Sequence, residues 1–472
     1  MNQNPLLDSG SFRDPSGSII YYKDRVFRQV DDSSFRLFKR LEDTGIIKDL
    51  QKRQYIIPSR SLSVRDRIYH ELKQFFSKDT NFIEHQKIPF ISYPYEWTFS
   101  MLAEAAILYL KLQIYLIENG YSLKDASAFN IQFVKSRAVF IDLPSIEIPS
   151  RRDVWVGYGQ FCQMFLFPLL LYKFKKIDLK NCFLASLNGI TVDYIYEIFG
   201  FFECLRPSLF LDVFLQHILG KVAQKNIDTL KKNIKKRRDN QSAQLFNLQR
   251  LIRKINSLIN SYKGTAHWLK YSSTHSYSDR GELEKKDYIR NFCKTHKVYS
   301  VLDLGCNTGE YSLIASDAGA AVIAVDSEHD CIDYLHRRIK EDKKNILPLY
   351  MDIANPSPPI GFDGQERKSF TNRVQCDCVF ALALLHHLLI TSRIPLSSIR
   401  DFLYGLTQSF LICEFIPPED LMFQKLLGLR ENIYTYLNAT YFLAIFSEKF
   451  DLLDKRKISN SERVLFTFKK KI

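Results

Sequence analysis

The chain has 472 residues, too many for one hydrophobic core, so two or three domains are expected. Its 46% hydrophobic and 25% charged content is that of an ordinary soluble protein and excludes a disordered or fibrous class. The net charge of +14 is uneven: residues 221–300 hold 19 Lys and Arg against 6 Asp and Glu, so one segment carries nearly all the basic excess. The N-terminus, MNQNPLLDSGSFRDPSG, lacks a basic stretch followed by an apolar core, so no signal peptide is expected. Nine scattered cysteines, several in apolar runs, are those of a reduced cytoplasmic protein. Cys376 and Cys378 have no second pair at zinc-site spacing, so no metal site is expected.

Residues 1–220 are rich in aromatic and aliphatic side chains and read as a mainly helical α+β domain that binds substrate or a partner. A helix is expected over 97–119, then a short hairpin within 121–145, YSLKDASAFNIQFVKSRAVFIDLPS. An apolar stretch at 154–172 raises a membrane question. Gln160, Gln163, two glycines and Pro168 interrupt it, which favours a buried helix and no transmembrane segment.

Within 121–145, Asp125 lies five residues before Asn130, and Asp142 closes the second strand of the hairpin. An ordinary hairpin with Asp and Asn at its turns would give the same letters. The pattern also resembles the catalytic loop of protein-kinase-like and aminoglycoside-phosphotransferase-like folds. That resemblance implies a nucleotide and metal site in which Asp125 orients a hydroxyl while Asn130 and Asp142 hold magnesium. Departures are Leu123-Lys124 before the first Asp, Leu143-Pro144 after the last, and no glycine-rich nucleotide loop. In the strand containing Val26, Phe27 and Val30, the available basic residue is Arg28.

Residues 221–265 form a basic connector whose densest part is Lys231, Lys232, Lys235, Lys236, Arg237 and Arg238. Leu245, Leu248, Ile252, Ile255 and Ile259 follow at helical spacing and predict a buried stripe. A solvated interdomain helix, an RNA-binding segment and a contact with an anionic membrane surface are three readings of this charge.

Residues 266–472 alternate between strand and helix patterns, with strands expected near 301, 322, 346, 377 and 410 and a hairpin at 450–468 on the sheet edge. This is an α/β domain with a doubly wound sheet, and its ligands should sit beyond the strand C-termini. In VLDLGCNTGEYSLIASDAGAAVIAVDSEHD, residues 301–330, an apolar strand ends on Asp303 and glycines follow at Gly305 and Gly309. A second strand ends on Asp326, where a carboxylate could accept hydrogen bonds from a ribose diol. The glycines serve where a Cβ would collide or where φ must be positive. A dinucleotide site would carry G-x-G-x-x-G, which is absent here.

DLGCNTG, with Asn307 in place of a middle glycine, resembles the S-adenosylmethionine turn of class I methyltransferases. The resemblance implies a Rossmann-like sheet and a cofactor site made of Asp303, Gly305, Cys306, Asn307, Gly309, Asp326 and Ser327. Asp352 and Ile353, after the third strand, would flank the adenine, and Ala383 would lie at the mouth after the fourth. Asp352 read alone is a turn residue introducing Pro356, Pro358 and Pro359. The phrases PSPPIGFDGQERKSFTNR, ALALLHHLLI, EFIPPED, WLKYSSTHSYS and ISYPYEWTFSML resemble a narrower bacterial group, the nodulation-type methyltransferases of undefined substrate.

Methyl transfer from a sulfonium is an in-line displacement that needs alignment first and a base only when the acceptor must lose a proton. His386 and His387 are the titratable pair at the expected mouth, about 100° apart if helical, so one of them at most faces the methyl. Glu414, ending the fifth strand, is the weaker catalytic candidate. Ala381–Leu385 stands where exocyclic-amine methyltransferases carry Asp or Asn before Pro-Pro-aromatic, which counts against adenine or glutamine nitrogen as acceptor. Two functions follow: a methyltransferase acting on a small molecule, sugar, lipid or peptide that the N-terminal domain binds or delivers, or a binding and regulatory protein using a kinase-like domain for partner recognition and the methyltransferase fold as scaffold or sensor. Acceptor and oligomeric state are open in the sequence.

Overall fold

A computed structural model describes residues 4–13, 17–77, 80–151, 153–225, 241–262 and 279–471. The basic stretch 231–238 and the segment 268–278 lie outside them. The chain divides into two compact units, one comprising Met1–Val134, Ala138–Tyr262 and Ile360–Arg367, the other Lys135–Arg137, Lys263–Pro359 and Lys368–Ile472.

The first unit pairs an antiparallel sheet with a helical body. Strands β1 (Leu6–Leu7), β2 (Ile19–Tyr22), β3 (Arg25–Val30), β4 (Ser59–Ser61) and β5 (Asn81–His85) lie in the order β1-β2-β3-β5-β4. The helix Phe99–Glu118 is opened by Thr98, whose side chain accepts from Met101 N–H, and thirteen of its residues are buried. A helix apolar on most faces belongs in the middle of a body. Among the described residues it alone is long and apolar enough to cross a membrane, and 72% of that window is buried within the protein. Two-residue strands β6 (Ser122–Leu123) and β9 (Ile146–Glu147) pair, and β7 (Ile131–Val134) pairs with β8 (Arg137–Phe140) between them.

The predicted helix at 154–172 runs as Tyr158–Phe161, a π-helical turn Cys162–Leu166 and Phe167–Lys175. Pro168 has no N–H to bond the carbonyl four residues back, and the wider turn falls just before it. The predicted connector helix, Gln241–Asn260, counts with the first unit and packs against Phe99–Glu118. It buries Leu248, Leu251, Ile255 and Leu258, a stripe turned slightly from the expected one: Leu245, Ile252 and Ile259 are half-buried.

The second unit is an α/β sandwich on one seven-stranded sheet. Strands β10 (Ser300–Leu304), β11 (Ala321–Asp326), β12 (Ile346–Tyr350), β13 (Cys376–Ala381), β14 (Thr407–Phe415), β15 (Phe450–Lys457) and β16 (Val464–Lys470) take the order β12-β11-β10-β13-β14-β16-β15. The first five pair in parallel, and the β15–β16 hairpin joins the β14 edge antiparallel. This is a doubly wound, Rossmann-like sheet. Its order reverses between β10 and β13, where an open α/β sheet leaves a crevice. Val301, Val322, Ile346, Cys378 and Ile412 are buried beneath the covering helices.

All nine cysteines are free and buried. No cluster of three or more His, Cys, Asp or Glu able to hold a metal occurs among the described residues.

Candidate functional site

The turn after β10 is built from three left-handed residues. Gly305 has φ +71°, Asn307 φ +51° and Gly309 φ +83°. A Cβ on Gly309 would stand 2.5 Å from Leu335 Cδ1, and one on Gly305 would stand 3.2 Å from Leu384 Cδ1. Both glycines therefore answer to conformation and to close packing. Asn307 tolerates the left-handed region because its side-chain oxygen accepts from Thr308 N–H at 2.7 Å. Gly305 and Cys306 donate to Val325 O at 2.8 and 3.0 Å, which sews the turn to β11.

Asp326, the last residue of β11, holds the turn from the other side. Its Oδ2 accepts from Asn307 N–H at 2.7 Å and its Oδ1 from Glu328 N–H at 2.8 Å. An ionised carboxylate offers about four acceptor positions, so these and a third amide leave about one open to a diol hydroxyl. Partial burial raises its pKa, opposed by these amide bonds, of which Ser327 supplies a further one. Met351 N–H donates to Asp326 O at 2.8 Å, bringing the end of β12 alongside. Asp352 is exposed there, its Oδ1 accepting from Ala354 N–H at 2.8 Å in a local turn, and Ile353 beside it is buried.

Asp303 lies under the turn, 1% exposed, accepting from Ser312 Oγ at 2.6 Å. Burial pushes its pKa up to about 6; Ser312 opposes this and the nearby Asp326 adds to it.

The mouth beyond β13 and β14 is organised by a buried ion pair. Glu414, 0% exposed, accepts from Lys285 Nζ at 2.5 Å and from Ala383 N–H at 3.0 Å, all through Oε2. Ala383 is itself left-handed, φ +51°, a costly conformation for a residue with a Cβ. Lys285, on the helix Asp279–Thr295, also lies 4.8 Å over the Tyr311 ring. Arg463 grips Asp420 through Nε at 2.7 Å and Nη2 at 2.9 Å. Sequence reasoning did not find Lys285, Arg463 or Asp420.

His386 and His387 lie in the first turn of the helix Leu385–Ile390, His386 buried and His387 exposed. Burial, with His387 and Arg463 adding to it, lowers the His386 pKa to about 3, so its imidazole is neutral. Its Nδ1 is buried with no hydrogen-bond partner among the described residues. Beyond this helix lies a cavity of about 560 Å³, walled by Leu389, Ile394, Leu427, Tyr434 and Tyr441, with Arg393 and Arg430 on its lining. Tyr434 OH and Arg430 Nη1 donate to Leu389 O and Ile390 O at 2.7 and 3.2 Å, fixing its walls to the helix.

Comparison with known proteins bears on the whole chain. The nodulation protein NoeA of Rhizobium meliloti (strain 1021) is 32% identical over 472 residues, covering 98% of this chain and 96% of the relative. The chain belongs to the NoeA family of nodulation proteins. No protein-family model matches it. Similar solved structures include magnesium protoporphyrin IX methyltransferase ChlM from Synechocystis PCC 6803 with bound SAM, 14% identical, covering 46% of this chain and 96% of that one at a TM-score of 0.31. N-methyltransferase NodS from Bradyrhizobium japonicum WM9, in complex with S-adenosyl-L-homocysteine, is 12% identical and covers 44% of this chain and 99% of that one at a TM-score of 0.32.

In this NoeA-family chain the first unit brings its own residues together. Asp142, just after β8, accepts from Arg28 Nη1 of β3 at 2.5 Å and from Asn130 Nδ2 at 3.1 Å. Asp125 has an exposed side chain, and its backbone carbonyl accepts from Tyr109 OH at 2.9 Å. His85, buried on β5, hydrogen-bonds Ser59 Oγ through Nδ1 at 2.8 Å. Burial, and then Arg28, lowers its pKa to about 3.

Proposed function

We propose that the chain is an S-adenosylmethionine-dependent methyltransferase whose cofactor lies at the Gly305–Asn307–Gly309 turn. The observation that carries this reading is the paired carboxylates at the crevice, Asp303 beneath the turn and Asp326 bonded to Asn307 N–H at 2.7 Å. Asp326 would hold the ribose, Asp352 and Ile353 the adenine side, and Asp303 would face the cationic end. When bound, the cofactor supplies an electrophilic methyl group on a sulfonium. Asp303 is largely ionised above its pKa of about 6 and so favours a cation near neutral pH. Glu414, neutralised by Lys285, acts by holding the Ala383 bend rather than by taking a proton. Neutral His386 keeps a lone pair available and is the better placed acceptor of a hydrogen bond from a bound group. The acceptor's apolar body would enter the cavity beside Leu389.

The test is photolabelling of the full chain with methyl-labelled S-adenosylmethionine. Label on the peptide containing residues 303–326, displaced by S-adenosylhomocysteine and not by NAD, is expected. Absence of label, or displacement by NAD alone, overturns the reading.

A second reading concerns the first unit. The convergence of Arg28 and Asn130 on Asp142 supports a degenerate kinase-like body that binds or delivers the acceptor. Phosphotransfer would need the Asp142 carboxylate for magnesium, and the Arg28 guanidinium takes that charge. A magnesium-dependent ATP affinity lost on Asp142→Ala would instead favour a bifunctional enzyme.

A further inference from the structure

The cavity of about 560 Å³ beyond the helix Leu385–Ile390 has apolar walls and two cations at the end of that helix. The helix closes in a fixed turn: Thr391 N–H returns to His387 O at 2.9 Å and Ile394 N–H to Leu388 O at 3.0 Å. Arg393 sits in this turn with a left-handed φ of +54°, a conformation that ends helices. Arg430 reaches the same turn from the chain after the helix Leu421–Leu427, its Nη1 donating to Ile390 O at 3.2 Å. Both residues line the cavity.

The fold does not consume these cations. Arg393 has no hydrogen-bond or ion-pair partner among the described residues, and of the five N–H groups of the Arg430 guanidinium one is taken, by Ile390 O. A basic residue at a helix C-terminus also answers the macrodipole, but one guanidinium suffices for that. The single carboxylate on the lining is Glu431, so the cavity carries one positive charge in excess. The remaining walls are aliphatic and aromatic, among them Leu389, Leu427 and the pair Tyr436 and Tyr441, whose rings meet edge to face at 5.2 Å.

This inventory selects the occupant. A cationic amphiphile would meet two guanidinium groups against one carboxylate. A neutral sugar would set hydroxyls against aliphatic walls, where they find no hydrogen bonds. A dianionic phosphate exceeds the single charge in excess. A monocarboxylate with an apolar body satisfies both halves of the lining: its oxygens accept from the guanidinium groups and its carbon chain covers Leu389 and Leu427. His386, four residues before Ile390, shares a helix face with Leu389 and Ile390 and lies about 6 Å back along the axis, toward the end of β13. The carboxylate is then an anchor, and the atom that takes the methyl lies elsewhere in the acceptor.

We propose that the methyl acceptor is an amphipathic carboxylic acid, its carboxylate held by Arg393 and Arg430 and its apolar body by Leu389 and Leu427; this rests on the methyltransferase reading of the same site. The test is calorimetric titration of the full-length protein with dodecanoate below its micelle concentration. Saturable binding is expected, with dodecylamine weaker by about tenfold or more. Arg393→Gln lowers dodecanoate affinity by about tenfold and leaves S-adenosylhomocysteine affinity unchanged. Arg430→Gln also removes the bond to Ile390 O, so Arg393→Gln, which breaks no contact of the fold, is the deciding variant. Four outcomes overturn the proposal: no dodecanoate binding by a protein that binds S-adenosylhomocysteine, equal binding of dodecylamine, tighter binding of dodecyl phosphate, or unchanged dodecanoate affinity in Arg393→Gln. Dodecanoate bound through Arg393 with no affinity for S-adenosylhomocysteine would support the anion site and overturn the methyltransferase reading instead.

Discussion

The two units each gather carboxylates at a strand end, and they treat them differently. At the β11 end, Asp326 is held by backbone amides of Asn307 and Glu328, which orient it without neutralising its charge. After β8, Asp142 is held by the Arg28 guanidinium, which neutralises it. A carboxylate oriented by amides keeps both charge and an acceptor position for a ligand. One paired with an internal cation has given its charge to the fold. The same residue type at the same kind of position thus keeps acceptor capacity in one unit and closes a polar cluster in the other.

The largest way to disturb this comparison lies at the Lys285–Glu414 pair. Lys285→Met removes the cation at 2.5 Å from buried Glu414, leaving Arg463 Nη1 at 3.9 Å from Oε1, and is expected to cost about 3–5 kcal/mol in denaturant unfolding. The double variant Lys285→Met with Glu414→Gln recovers most of it. A single variant as stable as wild type would mean that the pair does not organise the mouth. Asp326→Ala comes next: S-adenosylhomocysteine affinity should fall roughly a hundredfold, equivalent to about 3 kcal/mol, while the circular dichroism spectrum stays the same. Unchanged affinity would remove the ribose assignment.

Asp303→Asn sharpens the electrostatic side. The folded-state pKa of about 6 lies above an unfolded value of about 3.9. Below about pH 4 both states are protonated and the carboxyl costs nothing. As pH rises the unfolded state ionises first, so the cost grows and is complete above pH 6. The Asn variant should therefore be more stable than wild type by on the order of 2–3 kcal/mol at pH 7–8, with the gain vanishing near pH 4. It should also lose more affinity for cationic S-adenosylmethionine than for neutral S-adenosylhomocysteine. A melting-temperature difference independent of pH would contradict the burial argument. The smallest effect belongs to Asp125→Ala: its side chain is exposed, so stability should change by less than about 0.5 kcal/mol.

Much of the C-terminal unit was legible because strand periodicity, glycine placement and strand-end acids are local signals. Val301–Asp303, Gly305, Gly309 and Asp326 fall within one strand–turn–helix–strand run, and each feature implies its neighbour. Lys285 was not legible. In GELEKKDYIR it stands beside Lys286, and nothing local separates the buried lysine from one paired with Glu282 at 2.6 Å. Its role depends on Glu414, which only the sheet order brings near. The helix Gln241–Asn260 shows the same limit: its apolar stripe was visible, but the partner that rotates the stripe and draws it into the first unit is Phe99–Glu118, far upstream. Arg28 could be read as the available cation on its strand, whereas its pairing with Asp142 needed the folded chain.

Parallel calorimetric titrations of the purified full-length protein with S-adenosylhomocysteine and with magnesium ATP test the difference between the two carboxylate sites most directly. Saturable micromolar binding of S-adenosylhomocysteine, with no heat from magnesium ATP, is the result predicted by an open Asp326 and a closed Asp142. Heat from magnesium ATP with silence from S-adenosylhomocysteine would contradict the account and move the active centre to the first unit.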